Sequence, residues 1–287
     1  MNNSISDKSY RSRRTISTAL KILLFVGITC VIFVPILVTV FASIKTQAHI
    51  ASVSPMAPPP WGEATVQNYI TVFKTGKLGT SFKNSAILVA VSVLFNIVIG
   101  SVTAYCLERF DFKLKPLVYA LFMLGMIIPS NITEIARFHV ISAVGAYRSL
   151  AAPIIIYACG DLMQLYIYRQ FIRQIPKSLD ESAMLDGCGY FRTFGQIIFP
   201  LLLPASATLA IIKAVDVIND MYIPYLYMPG EKLRTLTTML MSYSNSRQGS
   251  WTNLAACIVI VMIPTIIIFL FFQRYIFAGI VAGAVKE

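Results

Sequence analysis

Long runs without a charged residue constrain this chain more than any other feature. A lipid core about 30 Å thick needs about 20 apolar residues in a helix, because lipid offers no partner to a free backbone amide or carbonyl. Five runs without Asp, Glu, Lys or Arg span that core or nearly do so: Ile22 to Ile44, Asn84 to Leu107, Pro116 to Thr133, Thr193 to Ile212 and Gln248 to Gln273.

A sixth span is less regular. Ser149 to Tyr168 is apolar except for Asp161, and the fifth span is expected to start near Pro204 and to continue past Asp220 to about Leu226. The chain is 56% hydrophobic and only 13% charged, whereas soluble proteins are about 25% charged. We therefore predict an all-α membrane protein with six transmembrane helices.

The distribution of positive charge predicts that both termini are cytoplasmic. Cytoplasmic loops are enriched in lysine and arginine, and six spans return the C-terminus to the side of the N-terminus. With the N-terminus inside, the inside segments hold fourteen of the 24 lysines and arginines: Lys8, Arg11, Arg13, Arg14, Lys21, Arg109, Lys113, Lys115, Arg169, Arg173, Lys177, Arg192, Arg274 and Lys286.

The predicted domain organisation is a single membrane domain with short extensions. The predicted bounds are a cytoplasmic tail at 1–20 and a transmembrane domain at 21–287, which includes an outside loop at 45–83, a cytoplasmic loop at 173–203 and a cytoplasmic tail at 274–287. None of these loops has room for a soluble catalytic domain. The outside loop contains three consecutive prolines, 58–60, which cannot continue a helix.

Searches for catalytic, metal and phosphate sites find no convincing pattern. The lookalike of a phosphate-binding loop at 74–80 has Leu78 where Ser or Thr is needed. His49 and His139 are isolated, and the five cysteines form no CxxC motif. We therefore predict a chain that is not an enzyme and binds no metal or cofactor of its own.

The fifth span carries charged residues at bilayer depth, where an ionisable group must face a partner or water. Lys213, Asp216 and Asp220 stand at i, i+3 and i+7, so on one continuous helix they share a face. One interpretation is an internal Lys–Asp pair that holds helices together, and Asp161 is a candidate partner of Lys213. The other is a polar wall of a substrate path suited to sugars, to which three neighbours would belong: Asn219, Tyr222 and Tyr225.

The cytoplasmic segment from Ile175 to Pro200 predicts a short helix, a turn and a second helix. Ser178 is the expected N-cap, with Glu181 completing a capping box, and Gly187 or Gly189 is expected to supply a left-handed turn. Such a projection is typical of a docking site, although an amphipathic interfacial loop has the same shape.

The residues of this segment resemble a known family motif. Glu181-Ser182-Ala183, three residues, Gly187, nine residues and then Ile197-Ile198-Phe199-Pro200 is similar to the EAA motif of permease subunits of binding-protein-dependent ABC importers. The spacing matches in full, with Ser182 and Phe199 as mild departures.

Further stretches resemble the second permease of maltose-type importers: Ala104 to Phe110, Met126 to Pro129, Asn219-Asp220 and the end from Gln273 to Lys286. One departure is Ile218, where the family has Trp. The resemblance implies a type I ABC importer permease in the bacterial cytoplasmic membrane, forming half of a path for a di- or oligosaccharide. It also implies a second, different permease, two ATP-binding subunits that hold ATP and Mg, and an extracellular solute-binding protein.

The same resemblance implies which residues couple to the ATPase. Glu181 would face basic groups of the ATPase, Gly187 would form the turn, and the tail would reach the ATPase dimer interface. The implied coupling residues are Glu181, Ser182, Ala183, Asp186, Gly187, Ile197, Pro200, Gly283 and Lys286.

Other functions remain open at this point. An ion-coupled secondary transporter would use Asp161, Asp216 or Asp220 as proton or cation sites. An importer of acidic oligosaccharides would fit the net charge of +11 and Lys213. A membrane enzyme would need a nucleophile–base pair or metal cluster, which the sequence does not offer.

Overall fold

The computed structural model describes residues 3–52, 54, 56–159, 162–244 and 250–284. Within those ranges the regular structure is helical and contains no β-strand, which confirms the all-α prediction. The helices in chain order are α1 Asn3–Ser43, α2 Gln47–Ser52, α3 Gln67–Thr75, α4 Leu78–Arg109, α5 Lys115–Ile127, α6 Ser130–Ala143, α7 Ala151–Ala158, α8 Leu162–Gln174, α9 Ser178–Leu185, α10 Tyr190–Thr193, α11 Phe199–Leu201, α12 Leu203–Asn219, α13 Tyr222–Tyr227, α14 Leu236–Ser244 and α15 Trp251–Ala284. A π-helical turn, Phe194–Ile198, joins α10 to α11, and a 3-10 turn, Glu231–Leu233, follows α13.

Among the described residues, three helices are long and apolar enough to cross a membrane: Ser17–Ser43 of α1, all of α4, and Trp251–Gln273 of α15. Two bent pairs pass the same test together, α7 with α8 at 44° and Tyr190–Leu201 with α12 at 76°. A shorter apolar helix, Lys115–Gly125, lies within α5. In the described ranges, length and composition therefore give up to five spans, and the six-span topology with its orientation stays a prediction.

The third predicted span, Pro116 to Thr133, is not one helix. α5 ends at Ile127 and α6 begins at Ser130, with Ile128 extended at ψ 118°. Ile128 precedes a proline, whose ring disfavours the helical conformation in the residue before it. A proline within the apolar run therefore ends the helix.

The segments predicted as tails and loops contain more helix than expected. α1 runs through most of the predicted tail 1–20, and α15 continues through most of the predicted tail from 274. The predicted outside loop 45–83 contains α2, α3 and the first residues of α4. The prolines at 58–60 interrupt only the part between α2 and α3.

Side-chain hydrogen bonds connect parts of the segment 45–83 to one another and to the end of α1. The Asn68 amide donates to the carbonyl oxygens of Ser43 and Lys45, each at 2.8 Å. Lys45, which is 1% exposed, donates from Nζ to the carbonyl oxygen of Ser54 at 2.9 Å. These bonds satisfy carbonyls that the end of a helix leaves without an internal partner.

The chain forms two compact units: Met1–Gly76 with Ser242–Ile260, and Lys77–Met241 with Val261–Glu287. In the second unit, α4 packs against α7, α8 and α12. Their buried residues recur every three or four positions, which places them on one face of each helix. One cluster comprises Ala104, Tyr105 and Leu107 of α4, Leu165, Tyr168 and Ile172 of α8, and Ala205 and Leu209 of α12.

The buried and exposed sides of α4 are inverted relative to a soluble helix. Its buried side includes Ser85, Ser92 and Asn96, whereas large apolar side chains such as Leu94 and Phe95 are exposed. Small and polar residues at helix contacts, with apolar residues outward, are typical of helices that face lipid. This inversion supports α4 as a membrane span.

Two buried amides connect α4 to the bent α7–α8 pair. The Asn96 amide donates to the carbonyl oxygen of Tyr157 at 3.1 Å, and the Gln164 amide donates to the carbonyl oxygen of Asn96 at 2.8 Å. Gly100 makes room for this arrangement, because a Cβ there would lie 2.4 Å from the Gln164 Cδ. The lack of a side chain at one position of α4 therefore sets the distance between α4 and α8.

We expect Gly100→Ala to destabilise the protein by about 1–2 kcal/mol. The new methyl would force the Gln164 amide away and leave buried polar groups unpaired, which outweighs the gain of about 1 kcal/mol in helix propensity. Thermal unfolding in detergent measures the effect. The control is Gly79→Ala, also in α4, where a Cβ meets nothing within 4 Å. Equal midpoints for the two variants would contradict the prediction.

Candidate coupling site

The short helix α9 ends in a turn that requires glycine. The amide of Cys188 donates to the Ala183 carbonyl at 2.9 Å, and the amide of Gly187 donates to the Met184 carbonyl at 3.0 Å. This pair of bonds is a Schellman motif, in which the residue after the C-cap is left-handed. Gly187 has φ +81°, which confirms the predicted turn, whereas Gly189 has φ −75°.

The start of α9 differs from the prediction. Lys177 is the N-cap, Ser178 is already helical, and no side chain caps the helix, so the predicted capping box is wrong. The reason is that the turn begins one residue earlier, at Pro176, whose carbonyl accepts from the Leu179 amide. The Glu181 side chain is exposed, and no described residue forms a hydrogen bond or ion pair with it.

The segment from Ile175 to Pro200, which we call the coupling segment, exposes several large apolar side chains to solvent. Leu185 is 89% exposed and Phe191 is 93% exposed, and Met184 and Tyr190 are also exposed. The predicted coupling residues Glu181, Ser182 and Asp186 are exposed beside them. A patch of this kind on a polar segment marks a contact surface.

The opposite face of α9 is buried against the end of α4. Asp180 accepts a hydrogen bond from the Tyr105 hydroxyl at 2.8 Å and forms an ion pair with Arg109, with 3.0 Å between Oδ2 and Nε. The two charged side chains are 9% and 8% exposed. Ala183, one turn later, is 4% exposed. Ala183, the last residue of Glu181-Ser182-Ala183, is therefore a small side chain on the buried face of α9.

A second ion-pair cluster lies one residue before Arg109. Glu108 forms ion pairs with Arg169 at 3.0 Å and Arg173 at 2.9 Å, both on α8. The Arg169 guanidinium also stacks on the Tyr119 ring, 4.3 Å from its centroid. The last turn of α4 is thus bonded to α8 on one side and to α9 on the other.

Aromatic rings fix the second half of the segment. The Tyr105 ring lies 5.2 Å from that of Phe194 and 5.9 Å from that of Phe110, and the Phe110 ring lies 5.0 Å from that of Tyr190. Of the remaining motif residues, Ile197 is half-buried against the core, and Pro200 is exposed within α11. The motif therefore includes residues with structural roles as well as exposed ones.

Outside the spans, a neighbouring loop carboxylate is held ionised. Asp111 lies between α4 and α5 and accepts a hydrogen bond from Lys115 at 2.9 Å. This bond and the lysine charge lower the pKa of Asp111. Asp111 therefore stays ionised to a lower pH than an isolated aspartate would.

Three predicted site residues are not tested by this geometry. Gly283 lies in the last turn of α15, and its contact with an ATPase stays a prediction. Asp161 and Lys286 lie outside the described residues, so the suggested pairing of Asp161 with Lys213 also stays a prediction.

The predicted charged stripe on the fifth span is interrupted. α12 ends at Asn219, and Asp220 is extended at its C-cap, so Asp220 does not share a helical stripe with Lys213 and Asp216. The reason is local: the Asp220 carboxylate accepts from the amides of Tyr222 at 2.7 Å and Ile223 at 3.3 Å. It therefore caps α13 and stabilises the break.

The other oxygen of Asp220 is also occupied, because it accepts from the Tyr157 hydroxyl at 2.7 Å. By contrast, Asn219, Tyr222 and Tyr225 are exposed. Asn219 is bonded only weakly to Thr265, at 3.4 Å. Asp216 on α12 is exposed as well. Among the predicted path residues in the described ranges, Asn219, Tyr222 and Tyr225 combine exposure with the amide and ring groups that a sugar would need.

Sequence reasoning assigned no structural role to Tyr105, Glu108, Arg109 and Asp180, although the first three belong to the stretch Ala104 to Phe110 that resembles the family. The first three stand within one turn at the end of α4, and Asp180 adjoins Glu181. The position of the first three predicts the cytoplasmic end of a span. Nothing in the local sequence indicates that their partners lie more than 60 positions away. A buried charge cluster of this kind is identified only once the helices are packed.

We expect Asp220→Ala to destabilise the protein by about 2–3 kcal/mol, because it removes a helix cap and leaves the buried Tyr157 hydroxyl unpaired. Chemical unfolding in detergent measures this. The adjacent control Asn219→Ala changes an exposed side chain and should cost about 0.5 kcal/mol or less. A similar cost for both variants would show that the break does not depend on Asp220.

Comparisons with known proteins identify the family of this chain. The family model described as "Binding-protein-dependent transport system inner membrane component" matches residues 96–281. The melibiose/raffinose/stachyose import permease protein MelC of Bacillus subtilis is 31% identical over 281 residues, 96% of this chain and 99% of MelC. The multiple sugar-binding transport system permease protein MsmG of Streptococcus mutans is 32% identical over 270 residues, 92% of this chain and 95% of MsmG.

The fold is shared with a solved structure. A chain of a bacterial ABC transporter involved in the import of the acidic polysaccharide alginate superposes with a TM-score of 0.79 at 21% identity, covering 92% of this chain and 98% of that one. The residues that the family model matches, 96–281, include α9, the end of α4 and the break after α12. The chain belongs to the family of binding-protein-dependent transport system inner membrane components, the permeases of ABC importers.

Proposed function

We propose that this chain is a permease subunit of an ATP-driven importer of neutral di- or oligosaccharides in a bacterial cytoplasmic membrane. It forms half of the translocation path with a second, different permease. Two ATP-binding subunits supply energy, and an extracellular solute-binding protein delivers the sugar. The chain itself performs no covalent chemistry and binds no cofactor, since ATP and Mg belong to the ATPase.

The two-sided character of α9 carries this proposal. Its inner face is fixed by the buried Asp180, while its outer face presents Glu181 beside exposed Leu185. An exposed apolar surface with a central carboxylate suits a groove with basic groups at its rim. A rigid projection of this kind is what a separate ATPase would need in order to move the permease helices.

Sugar as the substrate class is supported by the relatives and by the surface after α12. MelC and MsmG are named for the import of sugars. Sugars offer hydroxyl groups to polar side chains and apolar C–H faces to aromatic rings. The exposed Asn219, Tyr222 and Tyr225 provide both kinds of contact.

We favour a neutral sugar over an acidic one. Two basic residues of the predicted outside segments are already bonded to carboxylates: Arg137 to Glu134 at 2.7 Å, and Lys77 to Glu231 at 2.6 Å. The Glu134 carboxylate also accepts from the Tyr227 hydroxyl. Guanidinium and ammonium groups held in this way are less available to bind a uronate.

Affinity purification of the tagged chain from its native membrane tests the assembly. We expect a second permease and an ATP-binding subunit to co-purify, with ATP hydrolysis stimulated by the solute-binding protein and raffinose or melibiose. Stimulation by an alginate oligosaccharide instead would replace the neutral class with the acidic one. Recovery of the chain alone, with uptake driven by an ion gradient, would favour a secondary transporter.

Glu181→Lys should abolish sugar uptake while the chain remains folded in the membrane, because it reverses the charge of the exposed face and leaves the buried contacts intact. Uptake of radiolabelled raffinose by whole cells and the amount of co-purified ATPase measure the effect. The control, Glu63→Lys, makes the same charge reversal in the segment 45–83 and should retain uptake. Normal uptake by Glu181→Lys would remove Glu181 from the coupling surface.

A further inference from the structure

The buried face of α9 assigns a coupling role to residues of α4 that the EAA motif does not include. We propose that Tyr105 and Arg109 are positioning residues, which hold α9 through Asp180 so that a displacement of α9 moves the end of α4. We call Tyr105, Arg109 and Asp180 the α4–α9 clamp. This inference rests on the proposed function, because it needs an ATPase that acts on α9.

The clamp is more than one contact. Arg109 pairs with Asp180 through Nε at 3.0 Å, and its Nη2 donates to the carbonyl oxygen of Ile175 at 2.8 Å. Ile175 lies between α8 and α9, so one guanidinium holds both the connection and the helix. Tyr105, one turn earlier on α4, donates to the other oxygen of Asp180. Two hydrogen bonds and one ion pair, which point in different directions, fix the orientation of α9 as well as its distance from α4.

Stability alone does not account for such a pair. Burying two charges costs about as much free energy as their attraction returns, and apolar replacements of similar size are often equally stable. A buried ion pair whose members each form a further hydrogen bond, Asp180 with Tyr105 and Arg109 with Ile175, instead specifies one geometry, because a carboxylate without its partners is strongly disfavoured in an apolar site. We infer that the clamp serves to orient α9.

The surroundings of α9 explain why orientation has to be imposed. α9 has only eight residues, and helices this short are marginal without tertiary contacts. A left-handed glycine turn follows it, and a short connection from α8 precedes it. Without the clamp, a push on the exposed face would tilt α9 instead of moving the helices behind it.

The clamp is continuous with the rest of the helix bundle. Glu108, adjacent to Arg109, is held by Arg169 and Arg173 of α8. The end of α4 is therefore bonded to α8 and α9 at once. A displacement of α9 is transmitted to two helices of the core, which is the kind of packed, hydrogen-bonded network that carries coupling between sites.

The test measures sugar uptake and ATP hydrolysis together in proteoliposomes that contain the whole transporter and its binding protein. For Arg109→Gln we expect the uptake per ATP hydrolysed to fall about fivefold, with the ATPase co-purifying in unchanged yield. Tyr105→Phe should lower the ratio less. The matched control is Tyr168→Phe, which removes a buried hydroxyl bonded to Ser206 in the same core and should leave the ratio unchanged.

A double variant without charges distinguishes loss of the clamp from misfolding caused by an unpaired buried charge. In the double variant Arg109→Gln/Asp180→Asn, two amides replace the charges, so no unpaired charge is buried. We expect it to recover much of the lost ratio, because the amides can still bond across the contact. Amide hydrogen exchange across α9 should be faster in Arg109→Gln than in the wild type or Tyr168→Phe.

The outcomes separate this inference from the proposed function. An unchanged uptake-to-hydrolysis ratio in both Arg109→Gln and Tyr105→Phe would overturn the clamp and leave the permease assignment intact. An equal fall in Tyr168→Phe would also overturn it, because any loss of packing would then have the same effect. Wild-type transport without ATP would overturn both.

Discussion

A helix that stops inside an apolar layer leaves backbone amides and carbonyls without partners, and each unpaired group costs several kcal/mol. This requirement shapes the larger unit of the chain more than any other. At four helix ends or turns a polar side chain supplies such a bond: Asn96 at the end of α7, Asp220 between α12 and α13, Arg109 after α8, and Asn84 at the turn that follows α13. Three of these four side chains lie on α4, so this helix donates hydrogen bonds to backbone carbonyls where neighbouring segments end or turn.

The sequence predicted the parts of the fold that depend on composition. Runs without charge located the apolar helices, and Gly187 located the turn after α9, because only a left-handed residue suits that position. It did not locate the breaks. Whether Ile128 ends a helix depends on one following proline, and whether Asp220 belongs to α12 or caps α13 depends on two amides and the Tyr157 hydroxyl.

In the coupling segment, too, some residues could be predicted from the sequence and others could not. The exposed residues of the motif, Glu181 above all, were recognisable from spacing because their role is to meet another molecule. The buried residue beside it, Asp180, gave no signal of its own. Its partners come from a helix that is distant along the chain, and periodicity within one segment carries no information on such a pairing. Local patterns therefore identify the contact surface, whereas the buried contacts that hold it in place are known only from the packing of the helices.

The close approach at Gly100 limits how the bundle can rearrange. With the Gln164 side chain filling the space where a Cβ would be, α4 and α8 are interlocked at one point. Such a contact allows the two helices to rotate together but opposes sliding of one along the other, which is the difference between hinge and shear motion. Changes between inward and outward access would then be concentrated at the breaks that flank this pair, where the backbone is already bent.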